Sequence, residues 1–292
     1  MAAPSTIGPC PSTASPLDCL TRRFEALAAA GVFHGQIVVS RDGAIAWEAS
    51  YGKAPDGAAM TARTRLDLAS VGKMFTAVAV GQLVDDDRMA FSDAIGSYVD
   101  GLPDDVAEST IAELLSHTAG LSMYDWKLGR TSPKGEFRYS NAGFDLLDLA
   151  VEQVSGVPVA EYESQHIVQR SGMLDTRWET EPGASTARDM LKFVQALFAN
   201  RLMARATTTK MTTAKVATSF GGYGYGFGIF TGDEELAPSV GHIGVAPGAV
   251  AVVEYSPAIS TAIVLLSREG FAEIQPALIE YQQAIGMGYW RG

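Results

Sequence analysis

Cysteine is nearly absent from this chain. Cys10 and Cys19 are the only two, and both fall in the Pro/Ser/Thr-rich opening APSTIGPCPSTASPLDC. Two thiols cannot build a four-ligand zinc site, so that kind of structural metal is excluded. The pair either closes a small disulfide loop in an oxidising compartment or stands as two thiols in a loose leader. Long apolar runs are also missing: none reaches the ~20 residues of a membrane helix, so no membrane insertion is expected. Positive charge is in deficit. The 22 lysines and arginines stand against 33 aspartates and glutamates, giving a net charge of −11. That balance argues against nucleic acid or an anionic membrane surface as partner. No basic stretch followed by an apolar one opens the chain, so no signal peptide is visible. The two leader cysteines lean the expected compartment towards periplasmic or secreted rather than cytoplasmic. VDDDR, near Asp85, lacks the spacing of a calcium loop and reads as a solvated helix end. No metal and no cofactor is expected.

What is present is a chain rich enough in apolar residues, at 47%, to fill the core of one large domain or two interleaved ones. Residues 1–16 read as irregular. PLDCLTRRFEALAAAG places Leu17, Leu20, Phe24 and Leu27 at helical spacing, with Gly31 as a stop. Two β-rich runs flank RDG in QIVVSRDGAIAWEASYG, which is a hairpin signal. The spacing predicts a helix from Ser70 to about Leu83. TIAELLSHTAGL opens with a Thr110 cap and is expected to end at Gly120. NAGFDLLDLAVEQVSG carries one apolar stripe, Phe144, Leu147, Val151 and Val154. Two more helical runs follow, and from about Gly221 the pattern turns to β. A helix over roughly 273–284 closes the chain. The fold class expected is α/β of the mixed α+β kind: an antiparallel sheet flanked by terminal helices, with an all-helical lobe inserted. The irregular leader is set at 1–20 and a hydrolase-like domain at 21–292. Within that domain, the α/β part covers about 21–68 and 218–292, and the helical lobe about 69–217.

Three short stretches could carry chemistry. In SVGK, Ser70 and Lys73 stand three residues apart, so a helix places them on one face. A serine hydroxyl is a weak nucleophile until something takes its proton, and a lysine does so only when burial or nearby positive charge lowers its pKa. In RYSNAGF, Tyr139 and Asn141 sit where a loop meets a helix. Either Ser140 or Asn141 is the helix cap and Tyr139 a packed aromatic, or Tyr139 shares a proton with the lysine and serine while the Asn141 amide fixes the arrangement or holds a substrate carbonyl. In GHIGVAPG, His242 precedes Gly244 on a strand. A glycine there lets a substrate backbone lie close. His242 is either a strand-end histidine or a hydrogen-bond donor.

The three stretches in this order resemble the serine β-lactamases and penicillin-recognising peptidases, which share S-x-x-K. The resemblance is closer to the class C type branch, which also holds D-peptidases and esterases built on the same fold. There the second motif is Y-x-N, matched by Tyr139-Ser140-Asn141, and the third is K-T-G or H-x-G, matched by His242-Ile243-Gly244. LLSHTAGL and GHIGVAPGAVAVVEYSP are similar to that branch too, and the likeness runs from about Phe24 to the C-terminus. It implies an acyl-enzyme on Ser70, with Lys73 and Tyr139 as one proton-transfer unit. The backbone N–H groups of Ser70 and Val245 would form the oxyanion hole. Asn141, His242 and Gly244 would bind substrate, His242 by reaching a substrate carboxylate or Tyr139. Tyr124, Trp126 and Tyr223 are candidate pocket walls, and His117 is expected to be structural. H-x-G is commoner in the esterases and peptidases of the branch than in its true β-lactamases. The expected activity is therefore a carboxylesterase on small acyl esters, ahead of a D-amino-acid peptidase or amidase and of a β-lactamase. The partner is then a small ester, amide or β-lactam. A β-lactam or peptidoglycan sensor with slow turnover is the alternative of another class.

Overall fold

The computed structural model describes residues 13–179, 183–220, 223–232 and 236–288. Cys19 is disulfide-bonded. Cys10, the chain's other cysteine, lies outside the described residues, as does most of the leader.

Helix α1, Pro16–Ala29, starts where the sequence prepares it. The Ser15 side chain accepts from Asp18 N–H, Asp18 reaches back to the Ser15 amide, and Pro16 occupies the first turn. Its Leu20, Phe24 and Leu27 are buried. The expected hairpin is β1, Gly35–Arg41, and β2, Ala44–Tyr51. Asp42 and Gly43 between them both have positive φ, 49° and 78°, as a twisted two-residue turn requires.

A two-residue pair, β3 (Leu66–Asp67) with β4 (Ala184–Ser185), stands apart from the main sheet. That sheet has eight strands and is antiparallel throughout. Its later members are β5 (Val216–Ala217), β6 (Gly224–Tyr225), β7 (Phe230–Thr231), β8 (Val240–Ala246), β9 (Ala249–Ser256) and β10 (Thr261–Ser267). The spatial order is β2-β1-β10-β9-β8-β7-β6-β5. The first hairpin thus joins the last strand, Val38 opposite Val264.

Alternation along the strands makes two cores. Ile37, Val39, Val252, Ile263 and Leu265 face α1 and the closing helix α10, Phe271–Ala284. Val38, Ala251, Val253, Val264 and Leu266 face the helices that come between the two strand runs. At the centre of that larger core lies α2, Lys73–Asp85, buried at every position from Met74 to Leu83. Around it stand α3 (Asp104–Ala107), α4 (Ile111–Leu115), α5 (Asn141–Ser155), α6 (Val159–Glu163), α7 (Gln169–Ser171), α8 (Ala187–Phe198) and α9 (Arg205–Thr212).

Two boundaries differ from the sequence reading. The α-helix begins at Lys73, because Ala69–Gly72 winds as a tighter 3₁₀ turn after Ala69, which is held at φ 44°. Helix α4 has the Thr110–Glu113 capping box its sequence suggests but ends at Ser116, well before Gly120. His117, at φ 56°, turns the chain out of the helix.

Candidate active site

The three motifs meet at one place. Ser70 lies in the 3₁₀ turn, where residues three apart eclipse one another, so Lys73 stands over it more directly than an α-helix would place it. Both are half-buried. The Lys73 ammonium is 5.1 Å from the ring centre of Tyr139 and 5.5 Å from that of Phe144. The positively twisted Ala69 is held by its own N–H, which donates to the Asp67 carboxylate at 2.6 Å.

Tyr139 ends the loop before α5. Ser140 caps that helix, its hydroxyl accepting from Gly143 N–H at 3.0 Å. The Tyr139 hydroxyl is buried, with no hydrogen bond of good geometry to it among the described residues. Burial pushes its pKa well above the usual tyrosine range. The Ser70 hydroxyl, close enough to stabilise a phenolate, pulls the other way, and Tyr124 adds to the rise. Asn141 opens α5, and its backbone N–H donates to the Met123 carbonyl at 2.8 Å. That bond brings the 123–124 loop over the helix start, where Tyr124 is 77% exposed.

Strand β8 supplies the opposite side. The two-residue turn Pro247–Gly248 joins it to β9, with Ala246 opposite Ala249 and an unbroken register back to Val240. In such a ladder the N–H and C=O groups of alternate residues point to alternate edges. Ser239 C=O accepts from Gly232 N–H, across towards β7. By the same parity, the carbonyl of Ile243 and the N–H of Val245 point to that edge. There β7 pairs only with Val240 and Gly241, leaving the edge open beyond. Gly244 is needed at this point. A Cβ there would stand 2.5 Å from Leu68 O and 2.8 Å from Ser70 N. The glycine admits the chain's own Ser70 turn, whereas the sequence suggested a substrate backbone.

His242 is 1% exposed. Its Nδ1 lies 2.8 Å from the Ile243 carbonyl and its Nε2 3.0 Å from the Tyr225 hydroxyl. A carbonyl only accepts, so Nδ1 carries the proton. Burial, with Lys73 next in weight, lowers its pKa to about 3 against the pull of the Ile243 carbonyl. The ring is therefore neutral, Nε2 is the acceptor and Tyr225 donates. Neither nitrogen is turned to an incoming carboxylate, and Tyr139 is a ring neighbour at 6.4 Å.

His117 sits at the centre of the aromatic packing. Its ring is 4.2 Å from Tyr139, 4.8 Å from Tyr225 and 5.0 Å from Phe144. Its Nδ1 accepts from Ser140 N–H at 3.1 Å. Burial, then Lys73, then His242 hold it well below the ordinary histidine range. Among the candidate pocket walls, Tyr124 is exposed and close enough to act on the Tyr139 phenol, and Trp126 leans on the main core. Tyr223 is buried with Tyr225 and Phe230 in a separate aromatic cluster. Tyr225, which belongs to none of the three motifs, is fully buried and bonded to His242. The YGYGF alternation marked it as a strand residue without revealing its partner.

The β-lactamase family model matches residues 20–281. The chain belongs to the β-lactamase family. Penicillin-binding protein 4* of Bacillus subtilis (strain 168) is 26% identical over 181 residues. That match covers 53% of this chain and 40% of the relative, so the chain spans less than half of that protein's length. The structure of a penicillin binding protein from Bacillus halodurans superposes with a TM-score of 0.79 at 25% identity, covering 89% of this chain and 98% of the other. The D-amino acid amidase of Ochrobactrum anthropi SV3 superposes with a TM-score of 0.79 at 20% identity, over 92% and 98% of the two chains. That likeness speaks for the fold. Family and fold together support acyl transfer by a serine hydrolase.

Proposed function

We propose that the protein is a carboxylesterase for small, uncharged acyl esters, acting through an acyl-enzyme on Ser70. The observation that carries this reading is the state of His242. In the K-T-G form of the third motif, that position holds a lysine that could bind a substrate carboxylate. Here it holds a buried, neutral imidazole with both nitrogens engaged. Two largely apolar side chains near the motifs are exposed, Tyr124 at 77% and Val245, three residues along β8 from His242, at 56%. A substrate without a carboxylate at that point, carrying an apolar group, suits both features.

In this mechanism the Ser70 hydroxyl attacks the ester carbonyl and gives its proton to the Lys73–Tyr139 unit. Lys73 lies 5.1 Å from the Tyr139 ring centre, so the two act as one proton-transfer unit and the proton belongs to the pair. The developing oxyanion lies between the N–H groups of Ser70 and Val245. The alcohol leaves with the returned proton. Water, deprotonated by the same unit, then attacks the acyl carbon and frees Ser70. Asn141, at the helix start, orients Lys73 and the acyl group.

Amides of D-amino acids also lack a free carboxylate, and the amidase neighbour makes them the second reading. Intact-mass measurements after separate addition of p-nitrophenyl butyrate, a D-amino acid amide and nitrocefin distinguish the readings. Turnover of the ester, with an acyl adduct on the parent and none on Ser70→Ala, is expected. Turnover of the amide alone would replace esterase with amidase. A burst followed by slow release from a β-lactam would mean a sensor. No adduct from any probe would remove Ser70 from the mechanism.

A further inference from the structure

We propose that Tyr225 is a positioning residue, acting through His242 and the Ile243 carbonyl to keep the open edge of β8 a hydrogen-bond donor where Val245 N–H meets the reacting carbonyl. The inference rests on the acyl-enzyme reading of the site and adds a residue to it.

The chain of contacts is short. The Tyr225 hydroxyl donates to His242 Nε2 at 3.0 Å. This holds the ring in place, with the proton on Nδ1, which donates to the Ile243 carbonyl at 2.8 Å. Ile243 C=O and Val245 N–H point to the same edge of β8, past the end of β7. An unbonded carbonyl there would place its negative end beside the oxyanion site and would draw water or a substrate donor into it. With the histidine proton on it, that carbonyl is occupied, and the donor two residues on is left to meet the substrate oxygen.

The surroundings pack closely around this arrangement. Tyr225 is 0% exposed and stands edge-on to Phe230 at 4.7 Å. The His242 ring is 5.0 Å from Phe230 and 5.9 Å from Tyr225. The titratable and charged groups facing the imidazole are Tyr225, Tyr139, His117 and Lys73. Among them only the Tyr225 hydroxyl reaches Nε2. The Ile243 carbonyl thus selects the tautomer, the Tyr225 hydroxyl holds the ring to it by donating to Nε2, and the tautomer decides what the strand edge presents.

The test compares three variants with the parent: Tyr225→Phe, His242→Asn and His242→Gln. An asparagine amide can stand at the Nδ1 position and still donate to Ile243. A glutamine amide reaches only the Nε2 position. The reading is the rate of Ser70 acylation by p-nitrophenyl butyrate, split into kcat and KM, beside ¹⁵N NMR of the parent imidazole. Expected are a proton on Nδ1 in the parent and a fall of about tenfold in kcat for Tyr225→Phe at unchanged KM, as for one lost hydrogen bond. His242→Gln is expected to fall at least as far, and His242→Asn to keep kcat within about threefold of the parent. If Tyr225→Phe fails to fold, the two histidine variants and the NMR spectrum decide. A proton on Nε2 in the parent, parent rates in Tyr225→Phe and His242→Gln, or equal losses in His242→Asn and His242→Gln would each overturn the proposal. A parent never acylated at Ser70 would overturn the underlying reading and this inference with it.

Discussion

Gly244 and Ser70 touch backbone to backbone: a single methyl on Gly244 would lie 2.8 Å from the Ser70 amide nitrogen and 2.5 Å from the Leu68 carbonyl oxygen. The candidate nucleophile and the candidate oxyanion strand are thus pressed together by the absence of a side chain. Gly244→Ala must push the strand away from the turn. Its expected outcome is a loss of about 100-fold or more in kcat, as for a missing oxyanion donor. Overpacking should also cost on the order of 2 kcal/mol. Steady-state kinetics and a urea melt check both figures, and parent-like kcat would show that the two elements need not touch.

The Tyr139 hydroxyl is buried with no well-formed hydrogen bond among the described residues. A polar group in that state costs stability and is retained for chemistry. Tyr139→Phe is therefore expected to melt at the parent temperature or above while kcat falls by roughly 10²–10⁴-fold. Calorimetry and turnover of the ester check this opposition. A variant that lost stability and kept its rate would make Tyr139 a packing residue.

Glu254, on β9, is 5% exposed and accepts from the Gln282 side chain on α10. Burial raises its pKa from 4.5 to about 7, against the Gln282 bond, which lowers it. A carboxyl raised in the folded state holds its proton more tightly folded than unfolded. The stability it contributes is complete below pH 4.5 and is lost as pH rises through about 7. Glu254→Gln should remove that dependence. Relative to the parent it is expected to gain stability on the order of 2–3 kcal/mol at pH 8. Denaturant melts between pH 4.5 and 8 check it; parallel pH profiles would show that Glu254 ionises freely.

His117 supplies an acceptor for Ser140 N–H and a face for Tyr139. His117→Ala leaves both a cavity and an orphaned amide, expected to cost about 3 kcal/mol and to lower kcat through a loosened Tyr139. His117→Asn should recover part of the melting temperature, since asparagine accepts from the same amide and tolerates a left-handed backbone. Equal melting temperatures for the two variants would discount the Ser140 bond.

Much of this arrangement was legible because it is local. Thr110 and Ser140 mark helix starts by side chains that satisfy nearby amides, and Asp42–Gly43 marks a hairpin by its backbone freedom. The three motifs were legible because each is a few residues long. What was hidden depends on partners far along the chain. Ala69 is forced to φ 44° and turns Ser70 out of the α-helix, yet alanine carries no signal for that conformation. His117 ends α4 early although the apolar spacing runs on past it. Tyr225 and His242 are 17 residues apart on two different strands. No periodicity relates them, and their bond exists only once β6, β7 and β8 have paired.

The sheet joins β1 to β10, and the Ser70 turn rests on a strand laid down some 170 residues later. During synthesis the serine and lysine emerge early, while their second donor is still to be made. Contacts of such long range form late in folding. Hydrolytic competence should therefore arise near the end of assembly, so an unfinished or half-folded chain carries the nucleophile without the means to use it. The appearance of activity is then a clock for the completion of the fold.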